Sequence, residues 1–498
     1  MNLLKILSVF TLSTLCLSAE VLSINAKIDD NETLESGDGE VSATVRLPKA
    51  QRIPFAKITV FGTVEKKAEA NASLTLSIDG QEAAGRALYN KQGKFGANFV
   101  VTRQIRDAVK GGKESAELKL FMRGKNQSPV KINKILLEVL ADEKYFRTSN
   151  YLRPLFSGDE ITAESVFPLG NEDPSKPATA KLLFAPSQVL EAYTLSSGKK
   201  VDLVQDKDFK IDGDTIEFLP NSNVKIIPYS DIYAEGKNNN FKKGEHFYFD
   251  VIKKFAFFKE GMWFHSRMVY ISYKHTAISG KPHKSTCEDL LPNTMKIIKS
   301  KKPLRVVLFG DSISYGANAS GLSMTVPYAP SWGDTATHVL SRFYKTPVIF
   351  FNRALGGETS TWGVKQVENL VCPDKPDLFI IAFGMNDRID KDKFRANLET
   401  IISKVRDVNP AAEFVLVSAM FANPNWHFFP MHDDYAEVCK QMVKQGIALA
   451  DVRSIHKRLL EKKRFIDMTG NNVNHPNDFL IRVYAQYLLK NLIFTVSK

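Results

Sequence analysis

The sequence predicts a carboxy-terminal α/β domain, a parallel sheet with helices on both faces, preceded by two β-rich, sandwich-like units. Three observations carry that expectation. From residue 304 onward, short apolar runs alternate with helical stretches, and five such strand and helix steps imply a doubly wound sheet. Before residue 140, short runs alternate apolar and polar positions between turn pairs such as Asp79-Gly80 and Gly111-Gly112. Between them a Pro/Gly/Asn-rich texture around 147–172, ending in Gly170-Asn171-Glu172-Asp173-Pro174, marks a junction.

Taken in order, residues 1–19 have one early lysine, Lys5, an apolar stretch 6–17 and the small-residue end Leu17-Ser18-Ala19. This pattern is that of a cleavable signal peptide, and it implies a secreted or periplasmic product. Ser13-Thr14-Leu15 before Cys16 lacks the form of a lipoprotein signal, and no later apolar run is long enough to span a bilayer. No stable membrane anchor is expected. The four cysteines, Cys16, Cys287, Cys372 and Cys439, are too sparse for a disulfide scaffold and show no zinc-ligand spacing, so neither metal nor cofactor is expected. The formal net charge is +12 in 498 residues, with 44% hydrophobic and 24% charged residues. The lysines are dispersed, without an arginine-rich block or aromatic interleaving, which argues against nucleic acid as a partner.

The first β-rich unit is expected over 20–146, with strands at 41–47, 56–60, 73–78, 99–102, 116–121 and 130–139. It contains no histidine and no visible catalytic constellation, so it reads as a binding or spacer unit. The second is expected over 147–295, with strands at 201–204 and 268–273 and a hairpin over 209–219 turning at Asp212-Gly213. Its aromatic residues Phe247, Tyr248, Phe249, Phe255, Phe257, Phe258, Trp263 and Phe264 read chiefly as core, with a sugar platform as the alternative.

The last domain is expected over 303–498. Buried strands read at 304–309, 348–351, 378–383, 414–419 and 447–452, with helices at 334–344, 362–370, 393–406 and 435–444 and a closing helix at 479–492. Polar groups gather where these strands end. Gly310-Asp311-Ser312 follows the first, and Asn352 to Thr359, with the paired Gly356 and Gly357, follows the second. Gly384-Met385-Asn386-Asp387 follows the third, and Asn474-His475-Pro476-Asn477-Asp478 precedes the closing helix. A serine at the carboxyl edge of a sheet, backbone and amide donors, and a histidine are the parts acyl transfer requires: nucleophile, oxyanion donors and general base.

In this order the four blocks resemble the SGNH branch of the GDSL hydrolases, over roughly residues 303–495. The resemblance implies a three-layer α/β/α, flavodoxin-like domain. It implies Ser312 as nucleophile, His475 as base, and the Ser312 and Gly357 N–H groups with the Asn386 side chain as oxyanion hole. One position departs from the family pattern: the acid usual three residues before the histidine is Asn472 here. Asn472, or a backbone carbonyl, is then expected to orient His475 in a Ser-His dyad, with Asp467 and Asp478 as the rival acids; Asp387 is expected to be structural. Trp426, with His427, Phe428 and Phe429, reads either as lining an acyl or sugar pocket or as packing its loop down, whereas His432, Asp433 and Asp434 are contiguous and do not suggest a metal.

The expected activity is that of a secreted serine esterase acting on short-chain, acetyl esters of a polysaccharide or oligosaccharide. The alternatives are a lipase or thioesterase-like acyl hydrolase, and a carbohydrate-binding protein with an inactive hydrolase domain.

Overall fold

Strand Leu304–Gly310 sits between Val348–Asn352 and Leu378–Ala382, and all three run parallel. The computed structural model describes residues 21–493 except 30–32, 35–38, 51–52, 54, 65–71, 89–92, 124–128, 141–154, 157, 237–241, 279–286 and 427–430. The expected signal peptide and His427, Phe428 and Phe429 lie outside the described residues. Strands Glu413–Val417 and Ile447–Ala450 continue the parallel series. Numbered by sequence within this half, the spatial order is 2-1-3-4-5, so the chain reverses its direction of winding next to Leu304–Gly310. Ligands of open α/β sheets bind outside the carboxyl ends of the strands at such a point.

Both faces of these strands are covered, which is why they read as continuous apolar runs. Val306, Leu308, Ile380, Val415 and Ala448 share one core with helices Trp332–Tyr344, Val452–Leu460 and Asp478–Leu492. Val307, Phe309, Ile381, Phe414 and Leu416 share another with helices Ser360–Leu370, Lys391–Val408 and Met431–Gln441. Side chains that alternate along each strand thus enter opposite layers.

The amino-terminal half joins this sheet directly. Strand Gln81–Ala87 pairs in parallel with Val348–Asn352, and Ser73–Ile78, Ser115–Phe121, Glu40–Arg46 and Lys27–Ile28 extend the same sheet to ten strands. A second sheet, built on Val21–Asn25, Val130–Leu140, Phe55–Val64 and Lys94–Val100, shares a core with these strands, the two-layer arrangement expected of a sandwich. Two local expectations are corrected. The strand expected at 99–102 lies upstream at Lys94–Val100, and Thr102 opens a helix, Thr102–Lys110. Gln81–Ala87 is a strand that the sequence pattern does not announce, because Gln, Glu, Ala and Gly are poor strand formers and its neighbours supply the reason for its extension.

Gly85 lies opposite Phe351, and a Cβ there would stand 2.5 Å from the Phe351 ring and 2.8 Å from the Arg353 guanidinium. The space admits Arg353. That guanidinium is fully buried, binds both carboxylate oxygens of Asp374 at 2.8 and 3.0 Å, and donates to Leu74 O at 2.9 Å and Thr75 Oγ1 at 3.0 Å. Arg86 and Asp334 form a second buried pair at 2.8 Å between the same two parts of the chain. Amino-terminal strands and carboxy-terminal domain are therefore tied through both backbone and buried charge.

Between them lies the second β-rich segment, whose largest sheet pairs Gly158–Val166, Val269–Ile278, Pro186–Ser196 and Lys199–Asp202. The hairpin Phe209–Asp212 and Thr215–Phe218 forms as expected. This segment is fastened to residues 463–477: fully buried Lys463 pairs with Glu164 at 2.6 Å, Asp467 accepts from Phe167 N–H at 2.8 Å, and Asn477 donates to Ser165 Oγ at 3.0 Å. Among the described residues no helix is long and apolar enough to cross a membrane.

Candidate active site

Asp311 is extended and caps the short helix Ser312–Tyr315, accepting from Ile313 N–H at 2.9 Å; Gly316, with φ of 97°, ends that helix after one turn. This sharp passage from strand to helix presents Ser312 at the carboxyl edge of the sheet. Ser312 Oγ lies 2.7 Å from His475 Nε2, and both residues are almost wholly buried.

His475 is set by its own loop. Asn471 Oδ1 accepts from the N–H groups of Val473, Asn474 and His475, each at 3.0 Å. The His475 carbonyl takes Gly470 N–H at 2.8 Å and Thr469 Oγ1 at 2.9 Å. Asn318 crosses against this loop, and Gly470 must lack a side chain because a Cβ there would lie 2.4 Å from Asn318 Cβ. Asn318 Nδ2 donates to Gly261 O at 2.7 Å and Gly470 O at 3.2 Å, which turns its Oδ1 toward His475 Nδ1 at 2.8 Å. Glu260 Oε2 stands 3.1 Å from the same nitrogen. An amide oxygen and a carboxylate can only accept, so Nδ1 carries the proton and Nε2 presents its lone pair to the serine hydroxyl.

The expectation that Asn472 orients the histidine is overturned. Asn472 is buried with φ of 67°, its Nδ2 donates to Phe257 O at 3.1 Å, and its Oδ1 accepts from Asn423 at 3.1 Å. Its side chain fastens the loop to neighbouring segments instead of meeting the imidazole. The two rival acids are also engaged elsewhere: Asp467 pairs with Arg464 at 2.7 Å, and Asp478 accepts from Ser320 N–H at 3.0 Å. Sequence reading missed Glu260 and Asn318, neither of which lies in a recognisable motif; only folding brings them to Nδ1.

The remaining candidates lie on adjoining strand ends. Leu355 N–H donates to Gly310 O at 3.1 Å, so the turn carrying Gly357 runs beside the serine strand. Gly357 has φ of 83° and is exposed. Asn386 is half-buried and donates through Nδ2 to Glu358 O at 3.2 Å, next to Gly357. Asp387 accepts from Ser360 N–H and, at 2.5 Å, from Ser360 Oγ, anchoring helix Ser360–Leu370. Trp426 is half-buried, its ring centroid 5.6 Å from that of Phe247, and its backbone N–H donates to Asn423 O at 3.0 Å. Asn423 N–H in turn donates to Val473 O at 2.8 Å, so the Trp426 loop adjoins the histidine loop. The aromatic set of the second β-rich segment divides: Phe249, Phe257 and Phe264 are core, whereas Phe247 and Tyr248 are 37% and 44% exposed. Asp433 of the contiguous His432, Asp433 and Asp434 pairs with Arg453 at 2.6 Å, and among the described residues no group of three ligating side chains gathers to hold a metal.

Burial pushes the Asp311 carboxyl up to about 7, against the opposing pull of Ile313 N–H and of His475. A folded-state value above the unfolded one means stability is full below about pH 4 and declines as pH rises to about 7. Asp311→Asn keeps an acceptor for Ile313 N–H and removes the titration. Its unfolding free energy relative to wild type is expected to rise between pH 4 and 8 by up to about 4 kcal/mol, each tenfold change in proton affinity being worth roughly 1.4 kcal/mol. Urea denaturation at several pH values checks this, and parallel curves would refute it.

Residues 308–479 match the family model described as GDSL-like Lipase/Acylhydrolase. No curated protein matches the chain. Among solved structures, Axe2, an acetylxylan esterase from Geobacillus stearothermophilus, is similar at 17% identity and a TM-score of 0.33, over 38% of this chain and 94% of that one. LAE5, an alpha/beta hydrolase enzyme from the metagenome of Lake Arreo, Spain, is similar at 19% identity and a TM-score of 0.31, over 38% and 94%. With its strand order, its motif blocks and the family match, the chain carries an SGNH/GDSL-like esterase domain at its carboxy-terminal end, preceded by a β-rich region.

Proposed function

We propose that this chain is an exported serine esterase that removes short acyl groups, chiefly acetyl, from a polysaccharide or oligosaccharide. The observation that carries the reading is the 2.7 Å contact between Ser312 Oγ and a His475 Nε2 whose lone pair is free to accept the proton. Ser312 Oγ attacks the ester carbonyl carbon while its proton passes to Nε2. The carbonyl π pair becomes an oxyanion received by the Ser312 and Gly357 N–H groups and by Asn386 Nδ2. Collapse breaks the bond to the sugar oxygen, which takes the proton from Nε2. Water, deprotonated by the same nitrogen, then hydrolyses the acyl-enzyme. No step calls on a cofactor.

Two features support a small acyl group and a carbohydrate alcohol. Ala354 and Leu355, in the turn that bonds to the serine strand, are fully buried, which supports a short acyl site. The exposed rings of Phe247 and Tyr248, with Trp426 against Phe247, offer apolar faces of the kind that stack on sugars. Specificity constants along a series of acetyl, butyryl and octanoyl esters are expected to fall by about tenfold or more, roughly 1.4 kcal/mol of differential transition-state binding. A rise along the series would make the enzyme a lipase-like acyl hydrolase, and no turnover of any ester would favour an inactive, binding role. Release of acetate from acetylated polysaccharides identifies the alcohol.

A further inference from the structure

Resting on that esterase reading, we propose that Glu260, supplied by the β-rich segment in front of the hydrolase domain, is the acid of the catalytic relay, with Asn318 as a neutral partner at the same nitrogen. Glu260 is a positioning residue: it acts through His475 and does not touch substrate. It stands 215 residues upstream of the histidine, outside the residues that match the family model.

The geometry assigns the two partners different tasks. Asn318 Oδ1, at 2.8 Å, fixes the tautomer and the plane of the imidazole, and its own orientation is locked by donation to Gly261 O and Gly470 O. An amide cannot neutralise the imidazolium that forms when Nε2 takes the serine proton. Glu260 Oε2, at 3.1 Å, can. Its second oxygen accepts from Asn471 Nδ2 at 3.1 Å, and Asn471 is the residue whose Oδ1 holds the His475 N–H. Carboxylate and imidazole are thus tied to one side chain as well as to each other.

The segment that delivers Glu260 is held on both flanks. It follows strand Lys254–Phe257, whose terminal Phe257 carbonyl takes Asn472 Nδ2, and it precedes Gly261, whose carbonyl takes Asn318 Nδ2. The departure at position 472 is thereby explained: the amide that stands where the family places its acid docks the strand that brings an acid from elsewhere. The catalytic apparatus is complete only while the segment 158–278 is seated on the hydrolase domain.

The Glu260 side chain is 51% exposed, so water and salt weaken its hold on the imidazolium compared with a buried aspartate. A loss of about ten- to a hundredfold is expected on its removal, less than the roughly 10⁴-fold that a buried aspartate supplies. Asp311, which also faces the imidazole, accepts from Ile313 N–H at 2.9 Å and is unchanged in the variants below.

The test is steady-state kinetics of the full chain and of Glu260→Gln, Glu260→Asp and Asn318→Ala on a soluble acetyl ester across pH, with thermal midpoints to confirm folding. Glu260→Gln is expected to lower kcat by about ten- to a hundredfold with KM little changed, and to move the acidic limb of kcat/KM to lower pH because the imidazolium loses its counter-charge. Glu260→Asp is expected to recover part of the rate, and added salt to slow wild type more than Glu260→Gln. A Glu260→Gln variant within about twofold of wild type overturns the proposal and leaves Asn318 as sole partner, and so does a loss of rate with the acidic limb unmoved. Failure of the esterase reading is distinguishable, since Ser312→Ala would then match wild type whatever stands at 260.

Discussion

Ser312→Ala is expected to lower kcat for ester hydrolysis by about 10⁴- to 10⁶-fold while leaving the fold in place. The serine contributes one hydroxyl at the carboxyl edge of the sheet, and its loss removes the 2.7 Å bond to His475, about 1 kcal/mol of stability or less. The chemical loss is far larger because no other group among those at this edge pairs an oxygen nucleophile with an imidazole acceptor. His475→Ala is expected to cost about as much, and the double variant no more than either single one, since nucleophile and base act as a unit. Turnover of a chromogenic acetyl ester together with the thermal midpoint measures both halves of the expectation. An alanine variant within about tenfold of wild type, correctly folded, would remove Ser312 from the mechanism.

Arg353→Met is expected to destabilise the protein by about 3–5 kcal/mol, the cost of leaving a buried charge without its partner. Arg353 and Asp374 are both fully buried, and the guanidinium also satisfies Leu74 O and Thr75 Oγ1 on a strand of the amino-terminal half. Lysine should not rescue it, because a single ammonium cannot reproduce a bidentate bond to Asp374 and two further donations at once. Removing both charges, as in Arg353→Met with Asp374→Leu, is expected to be milder than Arg353→Met alone. Urea denaturation of the three variants tests this; a single variant as stable as wild type would show that the pair does not hold the two halves together. The same contacts bear on truncation. Deleting the unit expected over 20–146, which the sequence reads as a binding or spacer unit, strips the strand paired with Val348–Asn352 and uncovers Arg353 beside the active-site turn.

The parallel sheet and the serine, glycine, asparagine and histidine of the site were legible in the chain because each is a local pattern. A strand buried on both faces announces itself as a short apolar run, and the groups at its carboxyl end follow within a few residues. Ser312 stands two residues past its strand, and Asn477 caps the closing helix just after His475. Turn and cap chemistry of that kind depends on neighbours in sequence, so spacing encodes it.

The proposed acid was not legible, because nothing near Glu260 in the chain distinguishes it from any other exposed glutamate. Its carboxylate reaches Nδ1 only when strand Lys254–Phe257 docks on Asn472 and when Asn318, 157 residues from the histidine, turns its oxygen inward. The strand Gln81–Ala87 was hidden for the same kind of reason. Its composition carries no strand preference, and its extension follows from the open edge of Val348–Asn352 and the buried guanidinium that Gly85 makes room for. Contiguous residues prescribed the serine, the histidine and the sheet beneath them. The partner of the imidazole and the joining of the two halves arose from packing between distant segments, where burial and hydrogen-bond satisfaction choose among residues that sequence leaves equivalent.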